Sequence, residues 1–185
     1  MPHLIHLNGP PGVGKSTLAR VYASRHPGTL VCEIDALRTL ISGWQTNRVF
    51  AGYVHNVATS MVTSYLKTGH DVILPHLADL DRIALYAAAA EEGGGRHIHV
   101  MLHADMDAVV RQFRERGTTR PDSWTHDVAR FWDARGGDDA IRDCASDVWK
   151  LPHRFRIDVA DQESAYQSLV RTVEGSAGQN PGVES

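Results

Sequence analysis

The sequence predicts a three-layer α/β fold, a parallel sheet with helices on both faces. Apolar, strand-like runs alternate with helical stretches along the whole chain, which is the pattern of parallel strands joined by helical crossovers. A glycine-rich turn follows the first run and opens directly into a helix. The residues able to do chemistry fall just after strand ends, where ligands of such sheets bind.

His3–Leu7 is a short apolar run ended by Asn8-Gly9, and "STLARVYASRH" continues as a helix that Pro27-Gly28 break. Thr29–Asp35, "TLVCEID", has the length and β-branched content of a second strand, with Asp35 at its C-terminal end. Arg48–Thr68 carries apolar residues at helical spacing and is closed by Gly69. "HDVILP" then reads as a central third strand and "ADLDRIALYAAAAEE" as a helix stopped by "GGG". "RHIHVMLHA" is a fourth strand, after which Asp105 caps the helix "MDAVVRQFRER". A polar, arginine-bearing stretch, "RGTTRPDSW", precedes one or two helices reaching Trp149. "RFRIDVA" is the last strand and "QESAYQSLVRTVE" the last helix. Residues 175–185 hold too little apolar content to fold, which leaves one domain over residues 1–174.

A chain of 185 residues suffices for one domain with its own core. With 42% hydrophobic and 22% charged residues and a net charge of -3, it reads as a soluble globule without an overall basic field for nucleic acid. Cys32 and Cys144 form no C-x-x-C pair, so neither a disulfide framework nor a zinc knuckle is indicated. No apolar run approaches the ~20 residues that span a bilayer, and no leader pattern opens the sequence. The expected location is the cytoplasm.

Gly9, Gly12, Gly14, Lys15 and Ser16 satisfy G-x-x-x-x-G-K-[ST]. Glycine is required because backbone N–H groups must wrap closely around a β-phosphate. Lys15 would reach the β- and γ-phosphates, the Ser16 hydroxyl would ligate Mg²⁺, and Val13 and Thr17 complete the cradle at a helix N-terminus that favours anions. The expected ligands are ATP and Mg²⁺, with Asp35 as the second metal residue.

In "CEIDALRTLI", Arg38 lies three residues after Asp35, on a neighbouring position of one helical turn. A phosphate acceptor would need cationic clamps, whereas an alcohol must be oriented and relieved of its proton by a base such as aspartate. Asp35 therefore points to a hydroxyl acceptor, with Arg38 on the γ-phosphate or on an anionic group of the substrate. The third strand ends in Pro75-His76 where many phosphate-loop enzymes carry an acidic metal residue; Asp79 comes a few positions later. Trp44, Tyr53 and His55, near the start of the long helix, are expected to wall the acceptor pocket. Arg111, Arg114, Arg116 and Arg120 surround a Gly-Thr-Thr break and read as a lid over about residues 114–124, with Arg116 and Arg120 reaching phosphate. His97, His99 and His103 share one strand face without an acidic or cysteine companion, so a half-covered strand explains them better than a metal site.

With cradle, aspartate and lid in order, the chain resembles the small P-loop kinases of nucleoside-monophosphate-kinase type. "HLNGPPGVGKST", "VILPHL" and "VMLHADMDAVVRQFRERG" are similar to the chloramphenicol phosphotransferase and tunicamycin-resistance ATP-binding group. That likeness implies Asp35 as the catalytic aspartate. "GPPGVGKST", "HPGTLVCEIDALRTLI" and "RERGT" are similar to the kinase domain of phage-type polynucleotide kinases. That second likeness implies Asp35 as general base, Arg38 as a clamp on a substrate phosphate and Arg116 as the lid arginine. The function expected from residues and resemblance together is Mg²⁺-dependent transfer of the ATP γ-phosphoryl to a hydroxyl of a small molecule, an antibiotic or nucleoside-like compound. The rivals are a polynucleotide 5'-hydroxyl kinase and an ATP-binding resistance protein that sequesters a drug without phosphorylating it.

Overall fold

Strand β1, His3–Asn8, lies at the centre of the sheet and sends Ile5 and Leu7 to one helical layer and Leu4, His6 and Asn8 to the other. The computed structural model describes residues 1–44, 48–119 and 123–177. Four further strands, β2 (Leu30–Val31), β3 (Val72–Pro75), β4 (Arg96–His103) and β5 (Phe155–Asp158), give a parallel sheet in the order β2-β3-β1-β4-β5. The predicted three-layer α/β fold is the one observed.

One layer holds α1 (Lys15–Arg25), α5 (Met106–Thr119), α7 (Asp138–Val148) and α8 (Gln162–Ala177), whose Leu18, Phe113, Ile141 and Leu169 cover Ile5 and Leu7. The opposite layer holds α2 (Ile34–Thr39), α3 (Arg48–Leu66) and α4 (Leu80–Glu92), with Val54, Val62 and Tyr86 against Leu4 and Leu74. Between α5 and α7 lies α6, Ser123–Asp133. Arg114 ties these helices together by donating to Asp133 at 2.6 Å and to Asp138 at 2.7 Å.

Three boundaries differ from the sequence reading. The second strand is two residues long rather than seven, because it is a sheet edge with β3 as its one neighbour, and the chain turns at Glu33 into α2. Asp35 consequently sits in the first turn of a helix and not at a strand end. Helix α5 runs through the Gly117-Thr118-Thr119 break, anchored by the buried face of Val109, Val110 and Phe113. A glycine inside a helix costs about 1 kcal/mol, which that anchoring offsets. Finally, α8 continues to Ala177, where the Ser176 carbonyl accepts from Arg96 and the Ser176 hydroxyl donates to the Thr172 carbonyl. The rest of the predicted tail, 178–185, lies outside the described residues.

The histidines of β4 share their face with His6, as the register His6↔His99 and Leu4↔His97 requires. The His6 ring lies 5.8 Å from His97 and 5.1 Å from His99, and the His97 and His99 planes are 16° apart. Near-parallel rings do not converge their nitrogens on one point, and no group of three metal-ligating side chains that can hold an ion occurs among the described residues. Burial pushes the pKa of both His97 and His99 down to about 4, assisted by His99 on the first and His153 on the second, and holds His6 well below its usual range.

These rings are neutral in the folded protein and protonated more readily in the unfolded chain. The unfolded state therefore binds more protons between about pH 4 and 6.5, so this contribution is full above pH 6.5 and is lost as the pH falls towards 4. The melting temperature is expected to drop by ~5 °C or more between pH 7 and pH 5, and His97→Gln should flatten that slope in a calorimetric pH series.

Candidate active site

The phosphate-loop motif leaves β1 at Asn8, whose side chain fixes the first residue of the loop and a segment of the neighbouring strand's connection. Asn8 Oδ1 accepts from the Gly9 N–H at 2.8 Å and from the Ala78 N–H at 3.0 Å, while Asn8 Nδ2 donates to the Ala78 carbonyl at 3.0 Å. This reciprocal pair extends the β1–β3 ladder beyond Leu7↔Pro75 and brings the segment after β3 alongside the loop.

Gly9, Gly12 and Gly14 all have positive φ, which side-chain-bearing residues rarely adopt. Gly12 carries a second constraint. A Cβ there would fall 2.3 Å from the Val109 carbonyl oxygen and 3.0 Å from Phe113 Cβ, so α5 rests directly on the loop. Val13 is buried in the core, and Gly14 caps α1, which opens with Lys15 and continues through Ser16 and Thr17.

Lys15 Nζ donates to the Gly9 and Pro10 carbonyls, both at 2.8 Å. Burial pushes its pKa down to about 8, opposed by the negative charge of Asp35 and lowered further by Arg116. Asp35 and Arg116 therefore lie near enough for their fields to meet at the lysine. The Ser16 hydroxyl donates at 2.7 Å to Glu33 Oε1, and Glu33 Oε2 accepts from Arg20 Nη2 at 2.8 Å. Asp35 instead pairs with Arg38 across one helical turn, Oδ1 to Nη1, at 3.2 Å. Arg38 Nε is buried and has no hydrogen-bond partner.

One crevice of about 850 Å³ joins these groups. Its lining includes Gly12, Gly14, Lys15, Ser16 and Thr17 on the loop; Asp35 and Arg38 on α2; Trp44; Pro75, His76 and Leu77 after β3; Arg116 on α5; and Val128, Phe131 and Trp132 on α6. Of the sequence-predicted site residues, Arg120 lies outside the described residues, and Gly9 and Val13 stand behind the crevice wall. Burial, reinforced by His55 and His6, holds the His76 pKa well below its usual range, so it meets the crevice as a neutral ring. Tyr53 and His55 do not line the crevice: Tyr53 is half-exposed, and His55 turns inward to the Tyr86 hydroxyl at 2.9 Å. Asp79 caps α4 and bonds Arg82. Arg114 braces α5 against α6 and α7, which leaves Arg116 as the described lid arginine in the crevice.

Sequence reading missed Glu33 and Arg20. The signal available was the E-x-D spacing of "EID", which places one carboxylate on the capping residue and the next inside the helix.

A parallel sheet of order 2-3-1-4-5, with a glycine loop between its first strand and first helix and a carboxylate–arginine pair facing the loop lysine, defines a P-loop nucleotide-binding fold of the kinase type. Residues 4–135 match the model of the family described as an AAA domain, and the chain belongs to that family. Among curated proteins none matches the chain. Solved structures with the same fold include the Mycobacterium tuberculosis APS kinase in complex with AMPPNP and APS (TM-score 0.65, 16% identity, covering 94% of this chain and 98% of that one). The Deinococcus radiodurans tunicamycin resistance protein is also similar (TM-score 0.60, 20% identity, 97% and 96% covered), as is a gluconokinase from Sinorhizobium meliloti (TM-score 0.57, 18% identity, 95% and 96% covered).

Two outcomes are expected. Gly14→Ala meets open space and carries only the left-handed backbone cost of ~1–2 kcal/mol, whereas Gly12→Ala adds the overlap with Val109, so thermal melts should rank wild type above Gly14→Ala and Gly14→Ala above Gly12→Ala. Above about pH 8 Lys15 is increasingly deprotonated, and a triphosphate would restore its proton. Calorimetric binding of Mg²⁺–ATP at pH 8.5 should then show an enthalpy that depends on the buffer's ionisation heat, with that dependence much smaller at pH 7, where Lys15 already holds its proton.

Proposed function

We propose that the protein transfers the γ-phosphoryl group of ATP to a hydroxyl of a small molecule. The observation that carries this reading is the Asp35–Arg38 pair facing Lys15 across the crevice. Asp35 accepts the proton of the acceptor hydroxyl as its oxygen forms the new bond to phosphorus and the bond to the bridging oxygen breaks, releasing ADP. Arg38 orients Asp35 through their ion pair, and its unpartnered Nε–H is a donor for the γ-phosphate or the acceptor. Lys15 and the loop amides hold the β- and γ-phosphates, and Arg116, on α5 at the crevice, offsets the charge of the transferring group.

The oxygen donors at the start of α1 suit Mg²⁺, with Ser16 and a carboxylate of the β2–α2 junction as its protein partners. When bound, the metal neutralises the β- and γ-phosphate oxygens. The chain's own residues supply the rest: Asp35 moves the proton, and Trp44, Leu77 and Phe131 offer apolar surface to the body of the acceptor. An antibiotic or nucleoside-like alcohol fits this mixture. Engagement of Arg38 by Asp35 and of Arg20 by Glu33 favours a small acceptor over a polynucleotide.

The test is an ADP-release and mass-spectrometric screen of alcohols, nucleosides and antibiotics, together with a 5'-hydroxyl oligonucleotide. A substrate should gain one phosphate, and Asp35→Asn should lower its kcat by ~10²-fold or more while ATP affinity stays near wild type. ADP release that never exceeds the water-only rate with any compound would overturn the reading.

A further inference from the structure

We infer that Glu33, rather than Asp35, is the carboxylate of the Mg²⁺ site, bound to the metal directly or through one water, and that Asp35 is thereby reserved for the acceptor. The inference rests on reading the loop as a Mg²⁺–nucleotide site. Enzymes with this loop need an oxygen-rich metal environment beside the Ser/Thr hydroxyl, and the end of β3 does not supply one here. Pro75 and His76 occupy that place, His76 is neutral, and Asp79 is committed to the α4 cap and Arg82.

Glu33 stands where the metal would need it. Its Oε1 is 2.7 Å from the hydroxyl of Ser16, the residue whose place in the motif is that of the metal hydroxyl. Arg20, one turn along α1 from Ser16, fixes the other carboxylate oxygen at 2.8 Å, so the side chain is held in a single orientation. Glu33 is also well covered, with 13% of its side chain exposed. Its backbone is extended, as the residue before α2 must be, and this aims the side chain back at the loop while Asp35, two residues on, turns with the helix to Arg38. The two carboxylates of "EID" thus divide between metal and acceptor. Asp35, which sequence reading assigned to both tasks, keeps one.

A merely structural Glu33 would serve as a hydrogen-bonded staple between α1 and α2, and a glutamine would replace it well. A metal carboxylate would behave differently with and without metal, because its charge repels a bare triphosphate and attracts the cation. The experiment titrates Mn²⁺, a paramagnetic substitute for Mg²⁺, into the full chain with AMPPNP and monitors free Mn²⁺ by electron paramagnetic resonance. Glu33→Gln should weaken nucleotide-dependent Mn²⁺ binding by about tenfold or more, Asp35→Asn by less than about twofold, and Glu33→Asp should recover most of the loss. In EDTA, Glu33→Gln should bind AMPPNP as tightly as wild type or more tightly. Mn²⁺ affinity unchanged in Glu33→Gln, or lost in Asp35→Asn instead, would overturn the assignment while leaving the kinase reading intact. A wild-type chain with no nucleotide-dependent Mn²⁺ binding would overturn both. Should Glu33→Gln melt early, Glu33→Asp and Asp35→Asn decide alone, since a metal role for Asp35 predicts the opposite order.

Discussion

The side chain of Asn8 holds together the two halves of the crevice. Its amide carries the β1–β3 ladder past the last backbone bond, His76 N–H to the Leu7 carbonyl at 3.1 Å, and it does so at the point where β1 becomes the phosphate loop. Loop and post-β3 segment are therefore one unit, and His76 and Leu77 face the loop because Ala78 is tied to the residue that starts it. Asn8 is fully buried, so each of these bonds is made where an unmade one costs most.

From that fixed point the remaining groups arrive on separate elements. Helix α1 carries the lysine and serine, the β2–α2 junction carries Glu33, Asp35 and Arg38, and α5 brings Arg116. A change of backbone state, from extended Glu33 to helical Asp35, sends two carboxylates to two places, the first to Ser16 and Arg20 and the second to Arg38.

Most of the architecture was legible because it depends on short-range signals. The glycine loop, the helical spacing of α3 and the apolar run of β3 each announce themselves within ten or twenty residues. What escaped depends on partners distant in sequence. β2 looked like a seven-residue strand because "TLVCEID" has strand chemistry, but pairing needs neighbours, and a sheet edge has one. The Glu33–Ser16 bond joins residues seventeen apart and belonging to different elements, so no local period reveals it. The same holds for Arg114, which read as a lid arginine beside Arg116 until the folded chain set Asp133 and Asp138 against it. Tyr53 and His55 share a helix with correct spacing, yet the rotation of that helix sends one to the surface and the other to Tyr86.

The contact of α5 with Gly12 joins two things that are usually separable. Val109 and Phe113 belong to the main core, and the same turns of helix lie against the loop. Arg116 comes later on that helix, about 10 Å beyond Val109. A substitution that resizes the core at these positions reaches the phosphate cradle before it reaches solvent. Drift in apolar volume and change in nucleotide handling thus fall on the same residues, and the least tolerant sites of the chain over evolutionary time should include an ordinary valine and an ordinary phenylalanine.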